Sequence, residues 1–84
     1  MTVRVRLFAS LRDAASTSET TVEADRLSDL LDLLRARYGE PFASRLAHAS
    51  VLVRGEPVPH DKEMSLADGE EVVLLPPFSG GAEG

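Results

Sequence analysis

Cysteine is absent from this chain of 84 residues, and so is tryptophan. Without cysteine there is no disulfide framework, no thiolate-bound metal and no nucleophilic thiol. A reducing cytoplasm is the expected setting. Aromatic residues are limited to Phe8, Tyr38, Phe42 and Phe78, so any core must be mostly aliphatic. His48 and His60 are the only histidines. Lacking cysteine and paired spacing, they predict no metal site. Ser10, Ser16, Ser18 and Ser79 have no histidine arranged to activate them, so nucleophilic catalysis is unsupported. Asp25, Asp29 and Asp32 recur at helical spacing and read as a solvated helix face rather than a calcium site. Nine basic residues stand against fourteen acidic ones, a net charge of −5, and the basic ones are dispersed. That argues against nucleic acid, whose phosphates require a basic face. The opening Met1–Arg6 holds no apolar run long enough for a signal peptide or a membrane span.

What is present suffices for one small domain. The hydrophobic content is 43%, enough for a modest core at this length. Val3, Val5 and Leu7 alternate with Arg4, Arg6 and Phe8, a period of two that predicts a half-buried strand from Thr2. Ser10 to Ser18 is small and polar, with Leu11, Ala14 and Ala15 as anchors for one short helical turn. Glu19 to Val22 reads as a second strand, antiparallel to the first. Leu27, Leu30, Leu31, Leu34 and Tyr38 fall at i, i+3, i+4, i+7 and i+11, one face of a helix. Asp25 stands where an N-cap belongs. Gly39 is a suitable stop, and Leu33 lies off the stripe.

Glu40-Pro41 then breaks the chain. Phe42, Ala43 and Leu46 suit a short second helix. Val51–Val53 reads as a strand, Arg54-Gly55 as a tight turn and Pro57-Val58 as a short return. His60 to Glu63 is a polar loop, and Leu66 to Gly69 a turn whose glycine permits positive φ. Val72–Leu75 is apolar on both faces, so it should be central or have a face covered by a partner. The order β-β-α-(α)-β-β predicts an α+β fold of the β-grasp (ubiquitin-like) type. Four to five strands would form a mixed sheet with one main amphipathic helix, the first and last strands lying side by side.

The most informative stretch follows that strand: Pro76-Pro77-Phe78-Ser79-Gly80-Gly81, then Ala82-Glu83-Gly84. Proline has no amide hydrogen and a fixed φ, so Pro76 and Pro77 stop the ladder and stiffen the exit. Gly80 and Gly81 carry no Cβ and suit a channel too narrow for other residues. Fully extended, Pro76 to Gly81 spans roughly 20 Å. The expected organisation is a domain over 1–78 and a tail over 79–84.

Val3-Arg4-Val5-Arg6-Leu7-Phe8-Ala9-Ser10-Leu11-Arg12-Asp13 resembles the opening of the MoaD family, the small subunits of molybdopterin synthase. Leu27–Leu34 followed by Tyr38-Gly39 is similar to its helix. Asp68-Gly69-Glu70-Glu71-Val72 leading to Pro76-Pro77-Phe78-Ser79-Gly80-Gly81 is close to the family signature. The related ThiS and CysO carriers share the Gly-Gly end, but the Pro-Pro-aromatic exit favours the MoaD branch. The resemblance covers residues 2 to 81. It implies a ubiquitin-like sulfur carrier, not an enzyme, whose acid–base chemistry is supplied by its partners.

A MoeB-type enzyme would use ATP to adenylate a C-terminal glycine, and sulfur would then replace AMP to give a thiocarboxylate. A MoaE-type large subunit, or another sulfur-accepting enzyme, would receive the tail. No cofactor is expected to be bound permanently. Carried over by position, Gly81 bears the sulfur, and Ser79, Gly80 and Gly81 thread the partner channel. Phe8, Arg12, Leu75, Pro76, Pro77 and Phe78 form the partner-binding set. For Phe8 the alternative is a core aromatic, and for Arg12 a solvated loop arginine. Glu70 and Glu71 meet a basic partner surface or are simply solvated.

The chain departs from the family pattern by continuing to Gly84. An internal Gly81 has no free carboxylate to adenylate. Three explanations stand: removal of residues 82–84 between Gly81 and Ala82 by a JAMM-type peptidase, use of Gly84 itself, or a domain that binds without carrying sulfur. Beside the molybdopterin reading stand sulfur donation to cysteine or a natural product, a ubiquitin-like protein modifier, and a non-covalent β-grasp binding module.

Overall fold

The structure is a computed structural model and describes residues 1–77. The expected boundary between domain and tail, at 78/79, lies outside the described residues.

β1 (Thr2–Leu7) keeps its alternation in three dimensions. Val3, Val5 and Leu7 are buried, while Arg4 and Arg6 point outward. β2 (Glu19–Glu23) pairs antiparallel with it, Val3 opposite Val22 and Val5 opposite Thr20. Between them runs α1 (Ala9–Ala15), about two turns rather than the single turn expected. It forms because Leu11 is buried and Ala14 and Ala15 pack on the core. Ala9 takes a left-handed conformation (φ 51°) where the chain turns from β1 into the helix.

α2 (Leu27–Tyr38) buries Leu27, Leu30, Leu31 and Leu34, and Leu33 off the stripe stays exposed. It stops at Gly39 with φ 63°, where the Gly39 N–H donates to the Arg35 C=O. The expected cap is corrected. Arg26 is the N-cap residue, and its side chain makes no capping bond to the helix. Asp25 is drawn away instead, its carboxylate 3.3 Å from the Met1 ammonium and its C=O accepting the Leu66 N–H at 2.8 Å. Arg26 is hydrogen-bonded to Glu63, which holds the guanidinium still more firmly protonated than usual.

α3 (Phe42–Leu46) buries both of its end residues. β3 (Ser50–Val53) and β4 (Glu56–Val58) form a hairpin through Arg54 and Gly55, both at positive φ (55° and 79°), as a two-residue hairpin turn of this kind requires. β5 (Glu71–Leu75) completes a five-stranded sheet of order β2-β1-β5-β3-β4. It runs parallel to β1 and antiparallel to β3. The first and last strands therefore lie side by side at the centre, which is the β-grasp arrangement.

Helices cover one face of the sheet. Val3, Val5, Leu7, Val51, Val53, Val72 and Leu74 meet Leu27, Leu30, Leu31, Leu34, Phe42 and Leu46 in one core. The opposite face carries Arg4, Arg6, Leu52, Val73 and Leu75 and has no layer over it among the described residues.

Candidate docking face and tail exit

The parallel register sets where the tail leaves. Leu7 is opposite Leu74, so both strands finish at the same end of the sheet. Continuing that register by one residue sets Phe8 opposite Leu75, from which Pro76 and Pro77 lead on. The Arg6 guanidinium sits over the Phe8 ring, 5.6 Å from its centroid. That places Phe8 on the open face, 36% exposed, and not in the core. A cation over an exposed ring contributes about 0.5–1 kcal/mol, enough to bias the ring's position.

Next to it in the sheet stand Val73 and Leu75, half-buried, with Leu52 opposite Val73 and Ser50 opposite Leu75. This apolar strip explains why β5 is hydrophobic on both sides. Its inner face fills the core, and its outer face forms the centre of an open surface. Arg6 approaches Glu71 at 3.9 Å and Arg4 approaches Glu19 at 4.0 Å, all four side chains well exposed. Such pairs are worth about 0–1 kcal/mol, so both arginines can exchange partners cheaply.

Of the expected partner-binding set, the β1–β5 register points Phe8 toward Leu75, and Pro76, half-buried, and Pro77, exposed, follow in the chain. Arg12 lies on α1, and its ion pair among the described residues is with Asp13 at 3.8 Å, so no ion pair ties it to the exit. Phe78, Ser79, Gly80, Gly81 and Ala82 lie outside the described residues.

What sequence reasoning missed are the long-range bonds that hold β5 in place. Asp68 Oδ1 accepts the Thr2 N–H at 2.8 Å, and Thr2 C=O accepts the Gly69 N–H at 2.7 Å. Gly69 sits at φ 81°, where a side chain would be strained. Glu70 C=O accepts the Arg4 N–H at 2.8 Å. The Glu70 carboxylate accepts the Ala67 N–H at 2.8 Å and meets Arg54 Nε at 2.7 Å, its side chain only 5% exposed. Glu70 is thus not simply solvated. It clamps the turn before β5 to the β3–β4 hairpin. The Asp-Gly-Glu run could have flagged this turn, but Arg54, 16 residues away, could not be read locally. Replacing Glu70 by Gln keeps the shape and removes the charge-assisted bonds. The expected loss is about 1–3 kcal/mol of unfolding free energy, read by urea denaturation, with Glu71→Gln near zero as the exposed control.

His60 is also structural, its Nε2 2.6 Å from the Ala49 C=O. Among the described residues no group of three His, Cys, Asp or Glu is placed to hold a metal ion, and no helix is long and apolar enough to cross a membrane.

The ThiS family profile matches residues 5–81, from the middle of β1 through β5 to the Gly-Gly pair. The chain belongs to the ThiS family. It is a small ubiquitin-like sulfur carrier rather than a catalyst. The molybdopterin synthase sulfur carrier subunit of Chlamydomonas reinhardtii is 33% identical over 84 residues, covering 96% of this chain and all of that one. SAMP1 from Haloferax volcanii superposes with a TM-score of 0.79 at 27% identity, covering 96% of this chain and 100% of that one. Subunits 1 and 2 of the molybdopterin-converting factor from Helicobacter pylori have been solved as a protein–protein complex. A chain of that complex matches with a TM-score of 0.74 at 25% identity, covering 96% of this ThiS-family chain and 100% of its own length.

Proposed function

We propose that this ThiS-family chain carries sulfur as a thiocarboxylate on Gly81 and donates it for molybdopterin synthesis in the cytoplasm. The observation that carries the reading is the exit itself. A central strand anchored by the Glu70 clamp runs past an apolar, arginine-flanked face into two prolines, and the family match stops at Gly81. Residues 82–84 lie beyond that match and are removed by a JAMM-type peptidase. A MoeB-type enzyme then activates the new terminus. A Gly81 carboxylate oxygen attacks the α-phosphorus of ATP and pyrophosphate leaves. A sulfide sulfur adds to the acyl carbon and AMP leaves, giving the thiocarboxylate. A MoaE-type subunit docks on the face formed by Phe8, Leu52, Val73, Leu75 and Pro76, and receives Ser79-Gly80-Gly81. Sulfur passes to a pterin precursor held by that partner.

Reconstitution tests this directly. A chain ending at Gly81, given a MoeB-type enzyme, ATP and sulfide, should gain the mass of sulfur replacing oxygen, whereas the 84-residue chain should not until it is trimmed. Equal inertness of both forms would remove the carrier reading. The docking face has its own expected result. Phe8→Ala should weaken binding to the large subunit by about 2 kcal/mol, roughly 30-fold, as loss of an aromatic anchor does. It should barely change stability, because the ring is outside the core. Titration calorimetry reads the first and thermal melting the second.

The likeness to SAMP1, a small archaeal modifier by name, favours one second reading: the activated Gly81 is joined to a lysine amine of another protein. Isopeptide adducts in extracts of the host would support it.

A further inference from the structure

β2 is one edge of the sheet and β4 the other. An open edge presents a row of unpaired N–H and C=O groups, a template for a further strand. In an antiparallel pair, alternate residues turn both backbone groups toward the partner or away from it. The Leu7 N–H donates to the Ser18 C=O and the Ala24 N–H to the Met1 C=O, each at 2.9 Å. With Val5 opposite Thr20 and Val3 opposite Val22, residues 18, 20, 22 and 24 face β1. Glu19, Thr21 and Glu23 face outward.

Two of those three outward carbonyls are already taken by side chains. Thr17 Oγ1 donates to the Glu19 C=O at 2.9 Å. Arg37, in the last turn of α2, reaches round from the helix layer. Its Nη1 donates to the Thr21 C=O at 2.8 Å and to Thr20 Oγ1 at 2.9 Å. On β4, the Val53–Glu56 pair closes the hairpin, so Pro57 occupies the outward position. Proline has no N–H to offer there. Both edges are thus closed, one by the backbone and one by side chains.

We infer that Arg37, assisted by Thr17, is a lock that keeps the β2 edge from accepting a strand, and that the strand it excludes is β2 of a second copy of this chain. Two copies of Glu19–Glu23 pair antiparallel about Thr21, which places Glu19 opposite Glu23 of the other copy. Like charges at that position oppose pairing and add a salt-sensitive guard to the lock. Arg37 is free to serve here because its guanidinium has no carboxylate partner among the described residues.

The test compares the full chain with Arg37→Ala by sedimentation and by amide NMR across a wide range of concentration. The unaltered chain should show β2 signals independent of concentration. Arg37→Ala should dimerise with a dissociation constant roughly tenfold or more lower, the equivalent of the one or two hydrogen bonds removed. Its shifts should be confined to residues 19–23, with contacts between the two copies of Thr21, and should grow with added salt. Arg37→Met, which keeps the stem and loses the donors, should behave alike. A folded Arg37→Ala chain whose β2 signals ignore concentration would overturn the inference. So would association mapped to any other surface, or loss of the fold in both variants, which would make Arg37 a packing residue.

Discussion

Replacing Gly81 by Ala is expected to reduce sulfur loading of the trimmed chain by about 10²-fold or more, while leaving the melting temperature unchanged. The two halves of this result have separate causes. Every buried hydrophobic residue among those described lies between Val3 and Leu74, well before Gly81 in the chain. The chemistry has no such tolerance. The carboxylate must first reach a phosphorus centre and its carbon must then be reached by sulfur, and a displacement of about 1 Å in such a geometry can cost about 10²-fold in rate. An added Cβ at the reacting residue forces a shift of that order in a site built around glycine. Pyrophosphate release during adenylation and the mass of the product read the two steps separately. Full loading of the Gly81→Ala chain would remove Gly81 from the mechanism.

The second large effect concerns the fold. Phe42→Ala should cost about 3–5 kcal/mol. Phe42 is fully buried at the start of α3 and packs on Tyr38, ring centroids 5.1 Å apart. A domain of this size has about 0.05–0.15 kcal/mol of stability per residue, so the loss is a large fraction of the whole. Each kcal/mol lowers the melting temperature by about 4–8 °C at this length. Leu33→Ala, on the same helix layer but 43% exposed, should move it little. Similar melting of the two variants would mean that the core is not the one described.

These contrasts show what local pattern can and cannot reveal. The alternation in Val3–Leu7, the stripe from Leu27 to Tyr38, and the Arg54-Gly55 and Asp68-Gly69 turns were legible because each is set by neighbours within a few residues. Parity grouped Phe8 with Arg4 and Arg6 but left a core aromatic open, and the structure decides it by placing the ring on the open face beneath Arg6. The helix over Ala9–Ala15 was underestimated because a single leucine anchors it. Asp25 looked like a cap, but the Met1 ammonium and the Leu66 amide compete for it. Glu70 and Arg37 were opaque for one common reason. Their partners, Arg54 and Thr21, are brought to them by sheet topology and not by sequence spacing. In the candidate site, the strand and the prolines could be read directly, whereas the clamp that aims them could not.

The most direct test of the carrier assignment is the intact mass of the protein purified from its own host. The proposed function predicts a chain ending at Gly81, part of it heavier by the difference between one sulfur and one oxygen. A population that keeps Ala82 to Gly84 throughout, with no sulfur-bearing species, would contradict it.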